Sequence, residues 1–362
     1  PLSLSSLVST NSSGTISYTT NDSNVATISG NMLTIVGAGT TTINVSLNSS
    51  NNHISLSASM SLIVSKANPS LTVTSLTINK TYGDSPLLLS SLVSTNSNGQ
   101  LSFTSNDSTV ATISGNMLTI VGAGTTAITV TQNSSNNYNS ASASMSLVVN
   151  KATPSLTVTS QTINKTYGDA PFSVYDLIST NSPGDLLFTS GDLNVLSISG
   201  YTATIIGGGN TTINVSLNSS KNYNSASTSM SLIVSKINPS LTVTSSTINR
   251  TYGDDPVLLS SLVSTNSNGQ LSFTSTDSNV ATISGNTLTI VGAGTTTINV
   301  ILNSSNNYNS ASASMSLVVN KVNPFLTVSS LPINKTFGDA PFSLSNLVST
   351  NSSSALTFTS GD

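Results

Sequence analysis

Four short segments each bring a basic residue, an aromatic ring and an aspartate together: NKTYGDSP from Asn79, NKTYGDAP from Asn164, NRTYGDDP from Asn249 and NKTFGDAP from Asn334. A cation, a phenol and a carboxylate at alternate positions of one loop could exchange protons with a substrate. Such chemistry needs a nucleophile or base oriented by a third group, and the chain holds one His, no Cys and no Glu to supply it. The other reading is architectural. Gly83, Gly168, Gly253 and Gly338 would supply a positive φ, Asp84, Asp169, Asp254 and Asp339 would bond back to the backbone in an Asx turn, and the following proline would fix the exit. Tyr82, Tyr167, Tyr252 and Phe337 would pack a ring under the turn. The exchange to Phe337 keeps the ring and drops the hydroxyl, which packing allows and proton transfer does not. We expect a structural turn, no catalytic residue and no cofactor.

The remaining candidates are weaker. The glycine stretches at Val36–Gly39, Val121–Gly124, Ile206–Gly209 and Val291–Gly294 have no Lys after them, as a phosphate loop would, and read as tight hairpin connections. His53 stands where other copies have Tyr138, Tyr223 and Tyr308, so it reads as a packing residue; a metal site needs partners. Asp22, Asp107, Asp192 and Asp277 could join the turn aspartates around Ca²⁺, although their spacing matches no EF-hand loop. Fifteen Asn-x-Ser/Thr sequons occur among 43 Asn, about the number expected by chance when Ser and Thr fill about 35% of positions. Position says more than number. Candidate N-glycan acceptors are Asn44, Asn48, Asn79, Asn133, Asn164, Asn214, Asn218, Asn249, Asn303 and Asn334; Asn44 and Asn214 alternate with inward Ile and Val, and four others recur beside the turn.

The elements that carry these residues repeat. Tyr82, Tyr167, Tyr252 and Phe337 are 85 residues apart, and the glycine stretches keep the same spacing without insertion or deletion. A fixed period of this length means an array of small independent domains. The expected organisation is a partial domain at 1–66, full domains at 67–151, 152–236 and 237–321, and a partial domain at 322–362. SLIVSK alternates with SLVVNK at the domain ends, so the array is expected to have grown by duplicating a block of two. Pro1 aligns with Pro86 and Asp362 falls inside a fifth copy, which leads us to expect an excerpt of a longer repetitive chain.

Within 67–151 the apolar pattern has period two nearly throughout. It predicts strands over 70–74, 87–95, 101–105, 110–114, 117–121, 125–132 and 142–149. Leu71, Val73, Leu101, Phe103, Leu118, Ile120, Ile128, Val130, Met145, Leu147 and Val149 point inward, between Thr and Ser that point out. This is the pattern of an all-β antiparallel sandwich. The run SNDSTVATISGNMLTIVGAGTTAITV, from Ser105 to Val130, resembles the bacterial immunoglobulin-like (Big-type) repeat, and the resemblance covers every copy. It implies a seven- or eight-stranded immunoglobulin-like sandwich, found in tandem on adhesins, invasins and surface fibres. Between domains, SKANPS, NKATPS, SKINPS and NKVNPF place a Lys and then a Pro, which favours a short extended link.

Composition narrows the function. Ser, Thr and Asn supply 171 of 362 residues, 6% are charged, the net charge is -3 and the mean hydropathy is +0.15. Nine scattered basic residues do not make a phosphate-binding surface. No apolar run reaches the roughly 20 residues that span a bilayer. Low charge weakens repulsion between copies. The expected role is a structural subunit or stalk of an extracellular or cell-surface fibre, self-associating with identical chains; the alternative is a multivalent module for glycans or a receptor. Binding would call for exposed aromatics that differ between copies, whereas the loops are nearly identical and rich in Ser and Asn.

Overall fold

The computed structural model describes residues 1–329 and 332–361. Asp362, the last residue of the expected partial domain 322–362, lies outside the described residues. Two compact units result. One comprises Pro1–Thr157, Ile178–Leu187 and Val215–Thr228; the other comprises Val158–Leu177, Phe188–Asn214 and Ser229–Asp362. Residues 67–151 fall wholly in the first unit and 237–321 wholly in the second.

In the first unit, residues 67–151 form β1 (Leu71–Val73), β2 (Thr77–Thr81), β3 (Leu87–Leu88), β4 (Val93–Thr95), β5 (Leu101–Ser105), β6 (Ala111–Ser114), β7 (Met117–Ile120), β8 (Gly124–Gln132) and β9 (Ala141–Asn150). One sheet runs β5-β8-β9-β2 and a second runs β6-β7-β3, with β1 and β4 paired beside them. Alternation explains the core. Along β8, Thr126, Ile128, Val130 and Gln132 are buried, while the residues between them remain in part accessible. Ile78, Leu89, Phe103, Val110, Ala111, Leu118, Met145, Leu147 and Val149 complete the buried cluster. The chain is an all-β tandem array of immunoglobulin-like sandwiches; among the described residues the only helical turns are 3₁₀.

In the second unit, residues 237–321 repeat the plan. Thr247–Thr251, Ala311–Asn320, Gly294–Leu302 and Leu271–Ser275 form the four-stranded sheet, and Val257–Leu258, Thr287–Ile290 and Ala281–Ser284 the three-stranded one. Their core is Phe273, Val280, Leu288, Ile298, Val300, Met315, Leu317 and their neighbours.

Three expectations change. The strand expected over 87–95 is broken by a 3₁₀ turn at Leu89–Leu92, which drives Leu89 into the core at 0% exposure while the Ser91 hydroxyl donates to the Leu88 carbonyl at 2.7 Å. The strand Thr77–Thr81 was not anticipated, and it pairs parallel to β9, with Ile78 opposite Leu147. The sandwich is therefore mixed, not purely antiparallel. Finally, Val121–Gly124 closes no hairpin: β7 and β8 belong to different sheets, so this turn carries the chain from one sheet to the other.

Gln132 is the buried polar exception. Its position holds Leu47, Leu217 and Leu302 in other copies. Its side chain is 0% exposed and fully bonded: Thr95 Oγ1 donates to Oε1 at 2.8 Å, and Nε2 donates to the carbonyls of Ser97 at 3.0 Å and Gly99 at 3.3 Å. Satisfied in this way, a buried amide avoids the desolvation cost of an orphan group.

Candidate functional site: the junction between successive repeats

The YGD turn has one geometry in all four copies. Gly83, Gly168, Gly253 and Gly338 have φ between 92° and 99°, the left-handed region that glycine enters without a Cβ clash. The aspartate does not make an Asx turn, which would reach forward. Asp84 reaches back: its Oδ2 accepts the Thr81 N–H at 3.0 Å, and its own N–H donates to the Thr81 carbonyl at 3.0 Å. Asp169, Asp254 and Asp339 do the same to Thr166, Thr251 and Thr336.

The tyrosine does more than fill space under its turn. Tyr82 packs against its own core and meets the Tyr223 ring, from the following copy, edge to face at 5.5 Å and 75°. In the second unit Tyr167 meets Tyr308 in the same manner, at 6.0 Å and 67°. Tyr252 is 50% exposed, and Phe337 is fully exposed.

Tyr223 and Tyr308 belong to a loop read as Ser-x-Asn-Tyr-Asn, which gathers the other recurrent motifs around it. Ala38 N–H, in the glycine turn of the first copy, donates to Asn137 Oδ1 at 2.8 Å. Ala123 N–H donates to Asn222 Oδ1 at 2.9 Å, and Gly208 N–H to Asn307 Oδ1 at 3.1 Å. Each pair is 99 residues apart, one period plus fourteen. Gly37 is required by close approach: a Cβ there would come within 2.6 Å of the Asn24 carbonyl and 3.0 Å of Asn137 Oδ1.

The linker is strapped to the same loop. Ala67 N–H donates to the Asn137 carbonyl at 2.9 Å, and Asn139 N–H donates to the Ala67 carbonyl at 2.8 Å. Ala152 and Ile237 bridge Tyr223 and Tyr308 likewise. Lys66 Nζ and Lys236 Nζ donate to the carbonyls of Ser135 at 2.7 Å and Ser305 at 2.6 Å. At the junction after 151 the charge comes from the other side. Lys221 stands where Asn136 and Asn306 stand elsewhere, and it acts on Asp107 of the preceding copy. Hydrogen bonds from the Thr109 side chain and backbone, with a smaller contribution from Lys221, hold the Asp107 carboxyl below its ordinary value.

The other candidates stay apart from this site. Asp22, Asp107, Asp192 and Asp277 each accept the backbone N–H two residues on at 2.8 Å, and among the described residues no three acidic or imidazole side chains gather to hold a metal. His53 is exposed and closes its loop with Ser50 through backbone bonds. Asn48, Asn79, Asn133, Asn164, Asn214, Asn218, Asn249, Asn303 and Asn334 are exposed; Asn44 is half-buried, and its amide donates to Asn21 Oδ1 at 2.7 Å. Sequence reasoning missed Asn137, Asn222 and Asn307 altogether, although the constant 99-residue offset from the glycine turn was there to be read.

No family model and no curated protein matches the chain. Among solved structures it is similar to Drosophila N-cadherin EC1-4, with 10% identity and a TM-score of 0.26 over 87% of this chain and 94% of that one. Domains 4-9 of the surface layer protein SbsC give 16% and 0.23 over 86% and 58%. Sidekick-1 immunoglobulin domains 1-5 give 14% and 0.25 over 80% and 67%. Values this low carry no argument about activity or partners.

Proposed function

We propose that the chain is a structural segment of an extracellular stalk or fibre on a prokaryotic surface, built from Big-type immunoglobulin-like domains at 1–66, 67–151, 152–236, 237–321 and 322–362, and that it performs no chemistry of its own. The observation that carries this reading is the junction. The same glycine turn, Asn-Tyr-Asn loop and linker bridge recur after residues 66, 151 and 236, as a spacer that must hold successive domains in a fixed relation requires.

Two features support assembly with identical chains. The four-stranded sheets of 67–151 and 237–321 end on one side in a strand bearing a cation, Lys80 or Arg250, and a charged edge resists pairing with another chain. The opposite edge, Leu101–Ser105 or Leu271–Ser275, carries no charge and no proline. The exposed Asn79, Asn164 and Asn249 recur on the cationic edge strand and are our proposed acceptors for N-linked sugar.

Electron cryo-microscopy of the native material tests the proposal. It predicts surface-attached assemblies with one repeat of density for every 85 residues, lateral contacts along the uncharged edge and added density on those asparagines. Recovery of the chain only from inside the cell, as dispersed monomers, would overturn it.

A further inference from the structure

The repeat at 152–236 differs from its neighbours at two positions that face each other. In three copies the pair is Ser and Asn, joined by a hydrogen bond: Asn31 Nδ2 to Ser5 Oγ at 2.6 Å, Asn116 to Ser90 at 3.2 Å, and Asn286 to Ser260 at 3.2 Å. In the 152–236 copy the pair is Tyr175 and Tyr201, with ring centroids 5.1 Å apart and planes at 47°. The backbone beneath is unchanged, since Val174 N–H donates to the Tyr201 carbonyl at 2.9 Å, as Leu89 N–H does to Asn116 at 2.8 Å. Both partners of a polar pair have thus been replaced together by rings.

The rings are not buried by the exchange. Tyr175 is 52% exposed and Tyr201 49%. They are nevertheless held in place: Tyr201 also stands edge to face with Phe188, a core residue 5% exposed, at 5.9 Å. A platform fixed before its ligand arrives loses little conformational freedom on binding.

We propose that Tyr175 and Tyr201 form a stacking platform for a neutral polysaccharide, which makes the 152–236 repeat a binding station within an otherwise plain array. A pyranose presents an apolar C–H face to an aromatic ring while its hydroxyls seek polar partners, and the exposed Asp176, Ser173 and Thr202 adjoin the two rings in sequence or in the strand register. No Lys or Arg occurs between 166 and 220, and the one cation nearby, the Lys165 ammonium 4.9 Å over the Phe172 ring, is a single charge where a nucleic acid needs a cluster to neutralise its phosphates. Asp176 disfavours an acidic glycan. A protein partner needs about 800 Å² on each side, and two half-exposed rings set among Ser, Thr and Asp do not supply the apolar centre of such an interface.

The test is affinity electrophoresis of the full chain in gels cast with hydroxyethylcellulose, mannan, galactomannan or polygalacturonate. We expect retardation by at least one of the three neutral polymers. The double variant Y175S/Y201N restores the pair present in the other repeats, so it keeps the fold, and it should weaken binding by about tenfold or more. Y175F/Y201F keeps both rings and should bind within about threefold of the parent. No retardation by any neutral polymer, retardation by polygalacturonate alone, or equal retardation of Y175S/Y201N would each overturn the proposal. So would loss of self-association in Y175S/Y201N by sedimentation, without a change in polysaccharide binding, since it would assign the rings to a second copy of the chain.

Discussion

The interior of a sandwich and the junction between two of them are written in different codes. Inside, one position accepts many residues: Phe103 has Tyr18 as its counterpart, Ala111 has Leu196, Leu89 has Val174, and even Leu217 has the fully bonded Gln132. At the junction the asparagine that caps the glycine turn is Asn137, Asn222 and Asn307 without variation. Apolar packing asks for volume and alternation, which several residue sets satisfy. A hydrogen bond from one backbone N–H asks for an acceptor at one place and angle. Variation between copies is therefore tolerated inside and absent at the asparagine that caps the glycine turn.

Substitutions can break this contrast, and their expected effects span a wide range. Leu147→Ala, at a 0% exposed position, should destabilise the 67–151 repeat by about 2–5 kcal/mol, read from hydrogen exchange of its central strands. Gly83→Ala forces a Cβ into φ 92° and should cost about 1–2 kcal/mol in the same measurement. Tyr82→Leu should lose about 0.5–1.5 kcal/mol of coupling to the loop around Tyr223, whereas Tyr82→Phe should lose almost none, because the ring makes the contact. Equal effects from the two Tyr82 variants would mean that the hydroxyl, not the ring, joins the copies. Lys66→Met, which removes one exposed bond to a carbonyl, should stay within about 0.5 kcal/mol of the parent.

A pH titration sharpens the comparison further. Asp107 is ionised more readily in the folded chain than its ordinary 3.8, so its contribution is present above that value and lost as the pH falls through the lower, folded one. Its carboxyl carbon resonance should titrate below 3.8, and Thr109→Ala should move it toward the ordinary value by more than Lys221→Met does.

Most of the sandwich was legible because period two survives in Leu101–Ser105, Met117–Ile120 and Gly124–Gln132, where every buried residue but Gln132 is apolar or Thr. The strand Thr77–Thr81 escaped because TINKT buries a single side chain, Ile78, and its parallel partner lies about seventy residues away with no turn between them to announce the pairing. The break at Leu89 escaped for the opposite reason: Leu87–Val93 is apolar enough to read as one strand, and only the inward turn of Leu89 shows where it stops. At the site, the glycine of the YGD turn could be assigned from local backbone chemistry alone, and so could a backbone bond from its aspartate, although that bond reaches back to Thr81 instead of forward. The partners of its tyrosine could not, since Tyr82 and Tyr223 meet across two copies and neither segment signals the other.

Amide exchange of the segment Val121–Gly124 in the intact chain tests the central claim most directly, because Ala123 N–H is held by Asn222 of the next copy. The account predicts a protected Ala123 amide that becomes about as fast as an exposed loop amide in Asn222→Ala, while Ile128 in the core strand stays protected. An Ala123 amide that exchanges freely in the parent, or that ignores the loss of Asn222, would mean that successive repeats are merely strung together and that the junction holds nothing.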